Sequence, residues 1–120
     1  MKREDDYLQR REHLKDMNDE ELKEYFWSLA EKAVEPLLAL GYENTTPSIE
    51  RSVLLRMGFS SAEVKPIVEG AVNAGLLGHG AGNIVYRLAK AKGMDIREAG
   101  LKLAEGQLWD EAKAEFKGAV

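Results

Sequence analysis

The chain has 120 residues, of which 44% are hydrophobic and 32% charged, with a formal net charge of −4 and no cysteine. This composition is too apolar for simple disorder and too charged for a membrane span, and without thiols it excludes disulfides and thiolate metal sites. Residues 1–60 carry 9 basic and 13 acidic side chains and residues 61–120 carry 8 of each, so neither half has the basic excess of a nucleic-acid-binding protein.

The residue types favour helices. Ala, Leu, Glu and Lys supply 54 residues, whereas Val, Ile and Thr supply 13. We predict an all-α fold, a compact array of six or seven short helices in a single domain over residues 1–120. Within it, residues 1–17 would form an N-terminal docking arm and residues 18–120 the helical core. The N-terminus has no apolar signal segment, and with the lack of cysteine this indicates a cytoplasmic protein.

The first predicted helix is charged and thinly apolar. Tyr7, Leu8, Arg11 and Leu14 form its stripe at helical spacing. Such a helix buries little by itself, which suggests docking onto something larger.

The second predicted helix begins at a capping box formed by Asn18 and Glu21. It should end at Gly41 as a C-terminal cap, followed by a loop over residues 42–45. Pro36 predicts a kink or a break. The apolar positions that keep the helical period are Leu22, Phe26, Leu29, Ala33, Leu37 and Leu40. The aromatic residues of the helical stripes are expected in the core, although adjacent Phe26 and Trp27 cannot both enter one small core, so that one of them would face a partner.

Five more helices follow from caps and glycines. Thr46 and Pro47 should begin a helix that stops at Gly58. A capping box of Ser60 and Glu63 begins the next, which should end at Gly75 with a kink at Pro66. The last three predicted segments are a helix over residues 84–92 stopped by Gly93, a helix from Asp95 to Gly106, and a helix carrying Trp109, Ala112 and Phe116 before Gly118.

The segment Gly78 to Asn83 alternates glycines before a helix, a pattern that can present backbone N–H groups to a phosphate. No strand candidate precedes it, so a tight connection between helices is the better interpretation. His79 would remain free to contact another chain. Neither His13 nor His79 has a second ligand at metal-site spacing, and both are expected to be exposed.

Extended stretches of the sequence resemble one known family. They are MKREDDYLQRREHLKDM, residues 45–61 (TTPSIERSVLLRMGFSS), GLLGHGAGNIVYRLAKAKG and IREAGLKLAEG. In length and over nearly the whole chain the sequence is similar to the small subunits of D-ornithine 4,5-aminomutases.

The resemblance implies an isomerase that depends on adenosylcobalamin and pyridoxal phosphate and converts D-ornithine to 2,4-diaminopentanoate. In this family the large subunit holds both cofactors, so we expect this chain to bind none, to carry no catalytic residue and to stabilise the large subunit. The chain also departs from the D-x-H-x-x-G cobalamin signature at Gly78-His79-Gly80. The implied assembly is a hetero-oligomer, with a dimer of heterodimers as one form.

We predict that three segments supply the subunit interface: the N-terminal helix, the segment from Pro47 to Arg56 and the glycine loop. The predicted interface residues are Tyr7, Leu8, Arg11, Leu14, Pro47, Ile49, Arg51, Arg56, His79 and Gly80.

Two alternatives stay open. Gly106, Trp109, Ala112, Phe116 and Ala119 resemble the second helix of a tetratricopeptide repeat, which would suit a standalone peptide-binding module. Such arrays need about three copies at a period near 34 residues, and no second copy is found. The other alternative is a small helical enzyme with a site around His79.

Overall fold

A computed structural model describes residues 2–118, which form seven α-helices and one 3₁₀ turn and contain no strand. The all-α prediction is confirmed. The helices are α1 Tyr7–Arg10, α2 Asp19–Asn44, α3 Pro47–Arg56, α4 Ser61–Asn73, α5 Ala81–Lys92, α6 Ile96–Ala104 and α7 Trp109–Glu115, with the 3₁₀ turn at Leu77–His79 between α4 and α5.

The contacts within the chain divide it into two units, with the boundary between Leu37 and Leu38. The first unit contains α1 and most of α2. The second contains the last turns of α2 and all later helices. The prediction of one domain with a boundary near residue 17 stays a prediction.

The hydrophobic core lies in the second unit, where α4 packs on α3 and α6, and α5 on α6, α3 and α7. Burying these aliphatic side chains is the main source of the fold's stability. The largest fully buried side chains are Leu54, Ile67, Val68, Ile84, Val85, Leu88 and Leu103.

The predicted helix starts are confirmed where a side chain caps the helix. Thr46 accepts a hydrogen bond from the Ile49 N–H before α3, and Ser60 forms both halves of a capping box with Glu63 before α4. Asp95 accepts from the Arg97 N–H before α6. Each of these bonds satisfies backbone donors that the first turn leaves unpaired.

The predicted ends near Gly58, Gly75, Gly93 and Gly106 are also confirmed, because α3, α4, α5 and α6 each end within two residues before them. Gly93 shows why a glycine is needed: its φ of +65° lies in the left-handed region, which a side chain disfavours.

Helix α2 differs from its prediction. It continues through Pro36 without a break and passes Gly41, so residues 42–44 are helical rather than part of a loop. Pro36 removes one helical hydrogen bond, but the helix is exposed there and water can solvate the carbonyl of Lys32 that loses its donor. The helix ends at Asn44, whose side-chain Nδ2 donates to the Leu40 carbonyl at 2.9 Å.

Two other boundaries are corrected. The N-terminal helix is one turn long, and residues 11–16 form turns instead of continuing it. Helix α5 begins at Ala81, three residues before the predicted Ile84, because Glu50 supplies an acceptor for its first N–H. The glycine loop is correspondingly shorter.

Helix α7 uses its aromatic residues for packing within the chain. Ala112 and Phe116 are buried, and the Trp109 Nε1–H donates to the Leu103 carbonyl at 3.0 Å. The core prediction is therefore confirmed for Phe116. These side chains join α7 to the core. Ala119, the last position of the repeat-like pattern, lies outside the described residues.

Candidate partner-binding surfaces

The most unusual surface belongs to α2, which buries none of its 26 residues. Phe26 and Trp27 are both exposed and touch edge to face, with ring centroids 5.3 Å apart, so the expectation that one of them enters the core is wrong. Leu37 is 64% exposed. A long helix in a soluble protein normally turns an apolar face into the core, and α2 does not.

Between residues 19 and 37, the apolar and the acidic side chains of α2 each form a stripe along the helix. Six large apolar side chains form what we call the apolar stripe: Leu22, Phe26, Trp27, Leu29, Val34 and Leu37. Four exposed carboxylates form the acidic stripe: Glu20, Glu24, Glu31 and Glu35. At about 100° per residue, the apolar stripe spans roughly 160° of the helix circumference. The acidic stripe covers about the next 60°, beginning about 20° beyond Trp27, so it borders one edge of the apolar stripe.

The N-terminal arm places its predicted interface residues at the surface. Tyr7 is 63% and Leu8 72% exposed, and the Arg11 guanidinium carbon lies 5.7 Å from the centroid of the Tyr7 ring. Leu14 is half-buried. The arm also carries a pair of short ion pairs at Asp6, the kind of exposed contact that adds little stability.

The predicted residues of α3 also lie at the surface. Ile49 and Arg56 are exposed, and Pro47 and Arg51 border an open cleft whose far wall comes from α4. Arg51 is half-buried and donates to the Ser48 hydroxyl at 3.0 Å.

The glycine loop is tightly packed, and each glycine has a structural reason. A side chain on Gly78 would put its Cβ 2.7 Å from the Tyr42 ring, and one on Gly82 would put it 2.8 Å from the Met57 sulfur. Gly80 has a φ of +90°. The loop is thus a close connection between helices, as the sequence indicates.

Glu50 holds the loop from α3. Its side chain is buried, with the residue 6% exposed. One carboxylate oxygen accepts from the Ala81 backbone N–H at 2.7 Å, and the other accepts from the Thr45 hydroxyl at 2.5 Å. Because Ala81 is the first residue of α5, the chain's own carboxylate occupies the anion-binding end of that helix.

His79 lies in a small aromatic cluster instead of being exposed, which corrects the sequence prediction. Its ring stacks on Phe116 with centroids 4.5 Å apart and packs edge to face with Tyr42, with centroids 5.1 Å apart. Arg87 lies over the other ring of the stack, 4.5 Å from the Phe116 centroid. Burial, and secondly the charge of Arg87, lower the pKa of His79 below its ordinary 6.5.

The structure brings some of the predicted interface residues together. Gly80 lies close to the Glu50 side chain of α3, and His79 directly precedes it in the same connection. The whole set stays a prediction as an interface. The sequence pattern predicts ordinary core positions for the α2 stripe, and the signal against that prediction is the adjacent pair Phe26 and Trp27, which no single core can accept.

Within residues 2–118, no group of three or more His, Asp or Glu side chains is arranged to hold a metal ion, and no helix is long and apolar enough to cross a membrane. Nine of the ten lysines are exposed. The tenth, Lys102, is half-buried with its Nζ 3.5 Å from Glu98.

Fold and surface together define a class of protein: a small all-helical chain in which one long amphipathic helix remains uncovered. Its sequence gives the family. A model of the family described as D-ornithine 4,5-aminomutase alpha-subunit matches residues 2–116. The chain is also 62% identical over 120 residues to the D-ornithine 4,5-aminomutase subunit alpha of Acetoanaerobium sticklandii, covering 100% of this chain and 99% of that protein. The chain therefore belongs to the D-ornithine 4,5-aminomutase alpha-subunit family.

Proposed function

We propose that this chain is the small accessory subunit of a D-ornithine 4,5-aminomutase and that it stabilises a large catalytic subunit in the cytoplasm. The observation that carries this proposal is the full-length match to the alpha-subunit family, with 62% identity to a protein of that name. The uncovered apolar stripe of α2 supports it, because a chain with such a helix is suited to work against a partner.

In this proposal both cofactors are bound by the large subunit. There adenosylcobalamin supplies radical chemistry and pyridoxal phosphate carries the amino group of D-ornithine that is moved to give 2,4-diaminopentanoate. The lysines of this chain do not fit pyridoxal phosphate. A lysine that forms a Schiff base is normally desolvated, whereas the lysines here lie at the surface, with only Lys102 half-buried and paired.

His79 is equally unsuited to a cofactor. Its ring stacks on Phe116 and packs edge to face with Tyr42, so its contacts are already those of a packed side chain. We therefore assign a structural role to His79 and no catalytic residue to this chain.

The proposal is tested by producing this chain together with the large aminomutase subunit encoded in the same organism. We expect the two to co-purify in equal amounts and to form 2,4-diaminopentanoate from D-ornithine when both cofactors are added. We expect no product from this chain alone. Failure of the two chains to associate would refute the proposal.

The non-catalytic role has its own test, a titration of the large subunit with this chain. Turnover should rise to a plateau, and the His79→Phe variant, which keeps an aromatic ring against Phe116, should reach the same plateau. A variant that binds normally but lowers the plateau at least tenfold would place a catalytic group on this chain.

A further inference from the structure

We propose that the apolar stripe of α2 inserts into a concave apolar groove of the large subunit and is the main binding surface of this chain. The inference rests on the proposed function and deepens it, because it assigns the partner to a helix that lies outside the three segments predicted from sequence. It is carried by the exposure, width and charge of α2.

The exposed area is large for a free surface. With roughly 200 Å² for each large side chain, the apolar stripe exposes on the order of 600 Å², the upper limit of the largest patch on an ordinary monomer. A stable interface needs about 800 Å² from each partner. The stripe with its immediate neighbours supplies most of that area.

The width of the stripe indicates the shape of the partner. A helix packed against one other helix buries an apolar stripe about 100° wide. The apolar stripe spans roughly 160°, from Leu29 through Phe26 to Trp27, at 100° per residue. A groove with two walls covers that arc and a single second helix does not. Lys23 lies within the arc, and its long side chain can extend its charge to the rim of a groove.

The charge of α2 argues against a second copy of this chain. Residues 19–37 contain six carboxylates and two lysines, so two copies paired along this helix would bring like charges together. The large subunit avoids this cost if basic side chains line the rim that lies beside the acidic stripe. A helix in a groove with complementary charges at its edge is an established mode of recognition.

The experiment compares substitutions at neighbouring positions in the co-purified complex. Leu29→Asp places a charge in the apolar stripe, and Ser28→Asp places the same charge about 100° away on the polar side of the same turn. Phe26→Ala removes a ring while improving helix propensity, so weaker binding by this variant does not come from melting of α2. Binding to the large subunit is measured by titration, and the helix content of each variant by circular dichroism.

We expect Leu29→Asp to weaken binding at least about a hundredfold and Phe26→Ala about tenfold or more, with Ser28→Asp within about threefold of the original chain. If the original chain binds and both stripe variants bind equally well, the inference is wrong and the proposed function stands. If the original chain does not bind the large subunit, the proposed function fails and the inference fails with it.

Light scattering of the isolated chain tests the second-copy alternative. A dimer that Leu29→Asp converts to a monomer, with unchanged affinity for the large subunit, would assign the apolar stripe to self-association and overturn the inference. A monomer before and after the substitution agrees with it.

Discussion

At the scale of single residues, Glu50 explains why the connection before α5 has its observed shape. A buried carboxylate is costly unless its oxygens are hydrogen-bonded, and both oxygens of Glu50 have partners, the Ala81 N–H and the Thr45 hydroxyl. Its negative charge also lies at the positive end of α5. One side chain therefore joins α3, the segment before it and the start of α5.

Substitutions at Glu50 should give graded losses of stability. Glu50→Ala leaves the Ala81 N–H buried without its acceptor and should lower the free energy of unfolding by about 2–3 kcal/mol. Glu50→Gln can still accept from Ala81 and donate to Thr45, so it should lose only the charge at the helix end, about 0.5–1 kcal/mol. Urea unfolding measures both.

The exposed Glu69→Ala variant is the control for the Glu50 series, since it removes a carboxylate from the surface of α4, and should change stability by less than about 0.5 kcal/mol. Equal stability of Glu50→Ala and the original chain would show that Glu50 does not hold the loop.

His79 should make stability depend on pH. Since burial and Arg87 lower its pKa, the unfolded chain takes up a proton near 6.5 before the folded chain does. Stability is therefore complete above pH 6.5 and decreases as pH falls from 6.5 towards the folded pKa. Glu63, whose pKa is lowered first by its hydrogen bond with Ser60 and then by Arg97, acts in a separate window below 4.5.

Unfolding by urea at several values between pH 5.5 and 7.5 tests this dependence. In the His79→Phe variant the ring still stacks on Phe116 but has no proton to bind, so the slope of stability with pH should be smaller than in the original chain. The same slope in both proteins would contradict the assignment.

At the scale of elements, most helix boundaries follow from local sequence, whereas the end of α2 and the start of α5 do not. Caps such as Thr46 and Ser60 act within three residues, so their signals are complete in the sequence. The end of α2 depends on distant residues: Tyr42 packs against Gly78, and the segment after the helix is held by Glu50. No local pattern contains those contacts.

The candidate surfaces show the same limit. The sequence predicts Tyr7, Leu8 and Ile49 as interface residues, and all three are exposed in the structure. It gives Phe26 and Leu29 a helical period, which is the same for a buried face and for a face that awaits a partner. Only the positions of the other helices distinguish the two cases.

The Gly41→Ala substitution distinguishes a helix α2 that ends at Gly41 from one that continues to Asn44, because the two predict opposite changes in stability. As a helix cap with positive φ, Gly41 would be destabilised by substitution with alanine. In the structure it is an interior residue of α2 with open space around its Cα, so Gly41→Ala should increase helix content and raise stability by about 0.5–1 kcal/mol.

Gly93→Ala is the matched control for Gly41→Ala. It too has open space, but its φ is +65°, and the substitution should lower stability by about 1 kcal/mol. Circular dichroism and thermal unfolding measure both variants. A loss of helix in Gly41→Ala would mean that α2 ends at Gly41.

At the scale of the whole molecule, the hydrophobic core and the proposed partner-binding surface lie in different parts of the chain. Every buried apolar side chain of the described residues falls between Leu54 and Phe116. The apolar stripe falls between Leu22 and Leu37, in the unit that buries none. Substitutions in the apolar stripe should therefore leave the stability of the core nearly unchanged. Substitutions in the core that preserve the fold should leave partner binding nearly unchanged.

A fragment of residues 38–120 tests this separation. It keeps Tyr42 against Gly78 and all of α3 to α7, so we expect cooperative unfolding with a free energy within about 1 kcal/mol of the full chain. The fragment should bind the large subunit at least about a hundredfold more weakly, because it lacks the apolar stripe. A fragment that does not fold would show that the first unit contributes to the core.

The Glu50 carboxylate also competes with dissolved anions for the start of α5. A group tethered to the chain acts at a local concentration far above that of any dissolved ligand. A phosphate or carboxylate from solution would therefore have to displace an internal competitor that never diffuses away. The anion-binding end of α5 is therefore already occupied by the Glu50 carboxylate. Small anions at cellular concentrations should leave the glycine loop between α4 and α5 unchanged.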